Sequence, residues 1–132
     1  MMVKKKKHIL IVDDDASVHT LSHLFLKTLP YVDSISSVYN GQEGIEFLKH
    51  HCEKVKTTPD VILLDYQMPI MNGLQFLRRL KALSCFQLKP PKVVMISSVV
   101  DPIIIHCASA LGVHHFFSKP LRADYLPAIF ED

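Results

Sequence analysis

Three short, unbroken apolar runs constrain the fold of this chain more than any other feature, because each stops on a polar residue. Ile9-Leu10-Ile11-Val12 stops on Asp13, Val61-Ile62-Leu63-Leu64 on Asp65, and Val93-Val94-Met95-Ile96 on Ser97. A continuous apolar run of this length, without alternation, marks a strand covered on both faces. The pattern predicts strands over 8–13, 60–65 and 92–97, with two weaker ones near 34–38 and 114–118.

Between the strands the spacing turns helical. Val18, Leu21, Phe25 and Leu29 form one stripe of a first helix, and Ile45, Leu48 and Cys52 one of a second. Leu74, Leu77 and Leu80 mark a third helix, and Ile104, Ala108 and Leu111 a fourth. Pro30 and Gly112 are stop signals, Pro59 precedes the third strand, and Asn40-Gly41 turns the chain into the second helix. A fifth helix after Leu121 is expected to be short or cut off, because Pro127 lacks a backbone N–H. Strands alternating with helices imply right-handed crossovers and a parallel sheet layered between helices. Ligands bind such sheets beyond the carboxyl ends of the strands. There Asp13, Asp14, Asp65, Ser97 and Lys119 can converge from distant parts of the sequence.

The 132 residues fit one domain, and 48% apolar with 21% charged residues is a globular balance. Residues 1–7 read as a basic flank and 8–132 as the domain. No apolar run approaches the roughly 20 residues of a membrane helix, and Ile9–Val12 is too short for a signal peptide. A cytoplasmic location, with no membrane association, is therefore expected. Lys4 to Lys7 has no interleaved aromatics and reads as a solvated flank, so no direct nucleic-acid contact is expected. Cys52, Cys85 and Cys107 are odd in number and read as free thiols. The eight histidines lack zinc-like spacing and read as surface residues.

The chemistry at the strand ends is that of phosphoryl handling. Asp13, Asp14 and Asp65 would repel one another, and oxygen-only donors of this kind suit Mg²⁺, or Mn²⁺ in its place. A simpler role is open to the acidic trio, with Asp15 or Ser17 as the N-cap of the first helix. Asp65 is the candidate nucleophile. Lys119 would contribute positive charge and Ser97 a hydroxyl to the phosphoryl oxygens.

Five segments together resemble a response-regulator receiver domain of two-component signalling: residues 9–15 (ILIVDDD), 40–48 (NGQEGIEFL), 60–73 (DVILLDYQMPIMNG), 93–98 (VVMISS) and 118–121 (SKPL). The resemblance spans His8 to Leu121. It implies an α/β, flavodoxin-like three-layer sandwich with strand order 2-1-3-4-5. It implies a signalling phosphoacceptor rather than an enzyme, in which Asp65 takes a phosphoryl group from a histidine kinase or phosphotransfer protein. Asp13, Asp14, Asp65 and the backbone carbonyl of Gln67 would hold Mg²⁺. Ser97, Lys119 and Phe116 would bind the phosphoryl group and switch, with Pro120 following a cis peptide. A downstream partner or output domain would then read the face of the fourth helix, fifth strand and fifth helix, and a phosphorylation-dependent homodimer is a further expectation.

Some positions depart from the family pattern. Ser98 stands where a small apolar residue is usual. Gln67 and Val99 occupy positions that tune phosphoryl lifetime, and an apolar Val99 cannot orient water, so a long-lived phosphoryl group is expected. The apolar start of the fourth helix, Val99-Val100 and Ile103-Ile104-Ile105, reads mostly as core. Phe116 and Phe117 should lie on opposite faces of the sheet. Two other functions are open: a docking module that is never phosphorylated, and a haloacid-dehalogenase-like phosphatase with Asp13 as nucleophile. The phosphatase requires a second acidic pair that the chain does not offer after Lys119.

Overall fold

In the computed structural model, which describes residues 6–131, five parallel strands form one sheet in the order β2-β1-β3-β4-β5. They are β1 (Lys7–Val12), β2 (Val32–Val38), β3 (Val61–Leu64), β4 (Lys92–Ser97) and β5 (His115–Ser118). Lys7 lies inside β1, while Lys4 and Lys5 of the basic flank lie outside the described residues. The helices are α1 (Ala16–Leu26), α2 (Gly41–His50), α3 (Gly73–Lys81), α4 (Ser84–Leu88), α5 (Pro102–Ala110) and α6 (Leu126–Phe130). Among the described residues no helix is long and apolar enough to cross a membrane.

The sheet separates two cores. On one side Leu10, Val12, Ile62, Leu64, Val93 and Met95 pack with residues of α2, α3 and α5. On the other, Ile9, Ile11, Leu63 and Ile96 pack with Leu26 of α1 and Tyr125 and Ile129 at the C-terminal end. Alternate residues of each strand thus serve opposite cores, as period-two geometry requires. On the first side α2 and α3 approach closely at Gly44, where a Cβ would stand 2.7 Å from the fully buried ring of Phe76.

Several elements differ from the sequence expectation. In α1 the buried residues are His19, Ser22 and Leu26, while Leu21 is 65% exposed. Leu21, Leu24, Phe25, Leu26 and Leu29 surround this segment with apolar side chains, so periodicity alone does not fix its phase. The helix ends at Leu26, three residues short of Leu29. The periodicity assigns nothing between Leu80 and Lys92, where the structure forms α4, anchored by buried Phe86 and too short to show a period. This helix brings Cys85 to the π-helical turn His51–Val55 that continues α2. Cys52 and Cys85 form a disulfide there, their Cα atoms 6.3 Å apart, which corrects the expectation of three free thiols. Cys107 is free. The apolar start of α5 is not core: Val100 and Ile103 are exposed and only Ala108 of this helix is buried. Ile104, Ile105 and Cys107 are half-buried.

The C-terminal segment resolves the difficulty posed by Pro127. A 3-10 turn (Ala123–Tyr125) leads into α6, and Pro127 falls in its first turn, where the missing N–H costs no hydrogen bond. The Lys92 ammonium donates to the carbonyls of Ala128 (3.0 Å) and Glu131 (2.6 Å), placing positive charge at the end of α6.

Candidate functional site

Strand register assembles the site. Val12 pairs with Leu64, so Asp13 and Asp65 leave neighbouring central strands side by side. Strand order reverses at β1, which makes this the crevice where such sheets receive ligands. Ser97 pairs with Ser118 across β4 and β5, and the next residue, Lys119, donates its backbone N–H to the Ser97 carbonyl at 3.0 Å. The Lys119–Pro120 peptide is cis.

Lys119 joins the two carboxylates. Its ammonium lies 2.8 Å from Asp13 Oδ2 and 3.2 Å from Asp65 Oδ2. Asp13 and Asp65 are 3% and 4% exposed, and Ser97 is fully buried. Burial pushes the Asp65 carboxyl above its ordinary range, and the adjacent Asp13 charge pushes the same way; Lys119 and the Ser97 hydroxyl only partly offset them. Burial pulls the Lys119 ammonium down, but its bond to Asp13 and the charges of Asp65 and Asp13 outweigh that and raise it. The second Asp65 oxygen accepts from the Tyr66 N–H at 2.8 Å. Gly73 closes the floor: a Cβ there would stand 2.7 Å from the Asp65 carbonyl oxygen.

Asp14 is exposed beside this pair, and one carboxylate oxygen from each of Asp13, Asp14 and Asp65 lies within 4.8 Å of the others. Three oxygen donors, two of them buried and in electrostatic conflict, fit a hard divalent cation. Asp15 caps α1 by accepting from the Ser17 N–H at 2.9 Å, while its own N–H donates to Asp13 Oδ1 at 2.9 Å. Capping and the acidic pair therefore fall on different residues of the trio.

Of the other residues singled out, Gln67 is exposed and Val99 half-buried. The Val99 N–H donates to the Ser97 hydroxyl oxygen at 3.1 Å. Phe116 is half-buried against the α2–α3–α5 core, whereas Phe117 faces the other side and stacks on Tyr125 with ring centres 4.1 Å apart. With α4 inserted, the face formed by the last two main helices and the fifth strand consists of α5, β5 and α6. Beside the acidic cluster a cavity of about 320 Å³ opens between α1 and the Pro120–Leu121 turn, lined in part by Val18, Leu21 and Phe25.

Sequence reasoning missed two residues. Gly73 shows only as a turn glycine, because the carbonyl it accommodates belongs to Asp65, eight positions earlier in the numbering. His19, expected at the surface, is 3% exposed, and its Nε2 lies 2.7 Å from the Asp13 carbonyl oxygen. The available signal is its position four residues after the cap at Asp15, which turns it back toward the β1–α1 turn.

The chain belongs to the response regulator receiver domain family, whose model matches residues 9–131. It is similar to protein-glutamate methylesterase/protein-glutamine glutaminase 1 of Dechloromonas aromatica, at 35% identity over 90% of this chain and 31% of that protein. The chain thus spans under a third of the length of such relatives. Among solved structures, a two-component response regulator from Cytophaga hutchinsonii superposes with a TM-score of 0.84 at 29% identity, covering 93% of this chain and 92% of that one. The CheX–CheY–BeF₃–Mg²⁺ complex from Borrelia burgdorferi aligns with a TM-score of 0.74 at 25% identity, covering 94% and 87%. The flavodoxin-like sandwich with strand order 2-1-3-4-5 is thereby established.

Proposed function

We propose that Asp65 is the phosphoacceptor of a two-component relay, receiving its phosphoryl group from a histidine kinase or a histidine phosphotransfer protein. One observation carries the reading: the Lys119 ammonium spans Asp13 and Asp65, 54 positions from the latter, at the switch point of the sheet. An Asp65 carboxylate oxygen attacks phosphorus, the bond from phosphorus to the donor nitrogen breaks, and the imidazole leaves with the electron pair. Lys119 moves toward the phosphoryl oxygens as they take over its pairing with Asp65. Asp13, Asp14, Asp65 and the Gln67 carbonyl would hold Mg²⁺ or Mn²⁺. A cation bound there supplies charge neutralisation on the phosphoryl oxygens.

The readout follows from the added charge and acceptor oxygens on Asp65. The Ser97 hydroxyl turns from the Val99 N–H toward the phosphoryl group, and half-buried Phe116 follows into the vacated space. The α5–β5–α6 face changes shape for a partner or an output domain. Val100 and Ile103, exposed at the start of α5, favour an apolar contact near that face, including a homodimer formed on phosphorylation. The apolar side chain of Val99 holds no water for hydrolysis, so the phosphoryl group is long-lived; rapid loss of label from the purified phosphoprotein would oppose this.

The test is intact-mass measurement after incubation with acetyl phosphate and Mg²⁺. Wild type should gain a phosphoryl adduct and Asp65→Asn none, while Asp13→Asn, short of one cation ligand, should gain a weaker one that higher Mg²⁺ partly restores. No adduct on wild type would leave a docking module, while turnover that needs Asp13 and tolerates Asp65→Asn would identify a phosphatase.

A further inference from the structure

The proposed metal site rests on a turn of three residues, and the bond that holds its middle comes from a side chain outside the acidic cluster. The Asp13 N–H donates to the Val38 carbonyl (3.2 Å), and the Asp15 N–H to the Asp13 carboxylate (2.9 Å). These two bonds secure the ends of the turn. The Asp13 carbonyl, which belongs to the peptide joining Asp13 to Asp14, is met by His19 Nε2 at 2.7 Å. A carbonyl oxygen only accepts, so Nε2 carries the proton. The other ring nitrogen, Nδ1, is buried and has no hydrogen-bond partner among the described residues. The N–H on Nε2 is thus committed to the turn. The ring is also held from the side, 4.4 Å from the ring of Tyr39 at the end of β2.

We infer that His19 is a positioning residue for the divalent-cation site: by pinning the Asp13–Asp14 peptide it sets how the two carboxylates face a common point. The inference rests on the reading of Asp13, Asp14 and Asp65 as cation ligands. His19 itself contributes no ligand atom. Rotation of the 13–14 peptide would carry the two carboxylates apart, and among the described residues the His19 bond is the one that holds this peptide's own carbonyl. Groups that hold ligands in this way commonly change metal affinity by about 10-fold or more when removed.

The test uses Mn²⁺ titrated into the purified chain, with free Mn²⁺ read by electron paramagnetic resonance and melting temperature measured in parallel. His19→Phe keeps a ring against Tyr39 but loses the donor, while His19→Gln keeps an N–H of similar reach. His19→Leu serves in place of His19→Phe should the latter not fold. The dissociation constant should rise about 10-fold in His19→Phe and return to within about 3-fold of wild type in His19→Gln. Unchanged affinity in a folded donor-less variant would overturn the role of His19 while leaving the metal site intact. Equal weakening in both variants, tracking their melting temperatures, would reduce His19 to core packing. A wild-type chain that binds no Mn²⁺ would overturn the metal-site reading itself, and this inference with it.

Discussion

The bodies of the three central strands and the residues that end them are buried alike but opposite in chemistry. Leu10, Ile62, Val94 and Met95 are fully buried, and Asp13, Asp65 and Ser97 are within a few per cent of that. The bodies sit in two apolar cores, where burial stabilises each side chain. The ends place two carboxylates together, which burial and mutual repulsion both oppose, and Lys119 reconciles them. Stability therefore comes from the bodies, and the reactivity proposed for Asp65 from the ends. The boundary between them is one residue wide on each strand.

Substitutions on either side of that boundary test the separation. Phe76→Ala removes a fully buried ring from the α2–α3 core and should cost about 3–5 kcal/mol in urea unfolding. Under conditions where the variant is folded, its phosphorylation by acetyl phosphate should stay near wild type. A proportionate loss of phosphorylation would erase the distinction. Lys119→Met leaves two buried carboxylates without their cation and should cost about 3 kcal/mol when no metal is present. Millimolar Mg²⁺ should restore part of that stability. An unfolding curve indifferent to Mg²⁺ would count against the acidic cluster as its binding site.

A smaller effect is expected at Ile70, an exposed β-branched residue held at φ 72° in the loop beyond Asp65. Ile70→Gly relieves the left-handed strain and should stabilise by about 0.5–1 kcal/mol, again by urea unfolding. The subtlest test is pH. Because the folded state raises the Asp65 pKa, it binds that proton more tightly than the unfolded chain. Stability from this group is full below the ordinary carboxylate pKa and is lost as pH rises through the raised one. Asp65→Asn should therefore melt higher than wild type above that window in EDTA, with the gap closing on acidification. A gap that stays constant with pH would show that Asp65 carries no such conflict.

Much of the site is legible in the sequence because each strand end is a local event: an apolar run stops, and the next residue is polar. That rule finds Asp13, Asp65 and Ser97, while Lys119 comes one residue later, after Phe116-Phe117-Ser118. The capping role of Asp15 is equally local. What escapes depends on helix phase or on neighbours remote in the chain. Apolar residues surround α1, so its inward line (His19, Ser22, Leu26) cannot be told from Val18, Leu21 and Phe25. The Cys52–Cys85 disulfide depends on α4, a helix too short to leave a periodic trace.

By itself, the sequence determined the alternation of buried strands and helices, and hence a parallel sheet with its polar groups at one edge. Hydrophobic patterning acts over a few residues and needs no knowledge of the rest. Only the tertiary structure decided which of those groups touch. The Lys119 bridge to Asp13 and Asp65, the Gly73 contact beneath Asp65 and the His19 bond behind Asp13 arise from strand register, loop closure and helix rotation. Each is set by packing of the whole domain, and only the place of His19, four residues after the Asp15 cap, leaves a local trace.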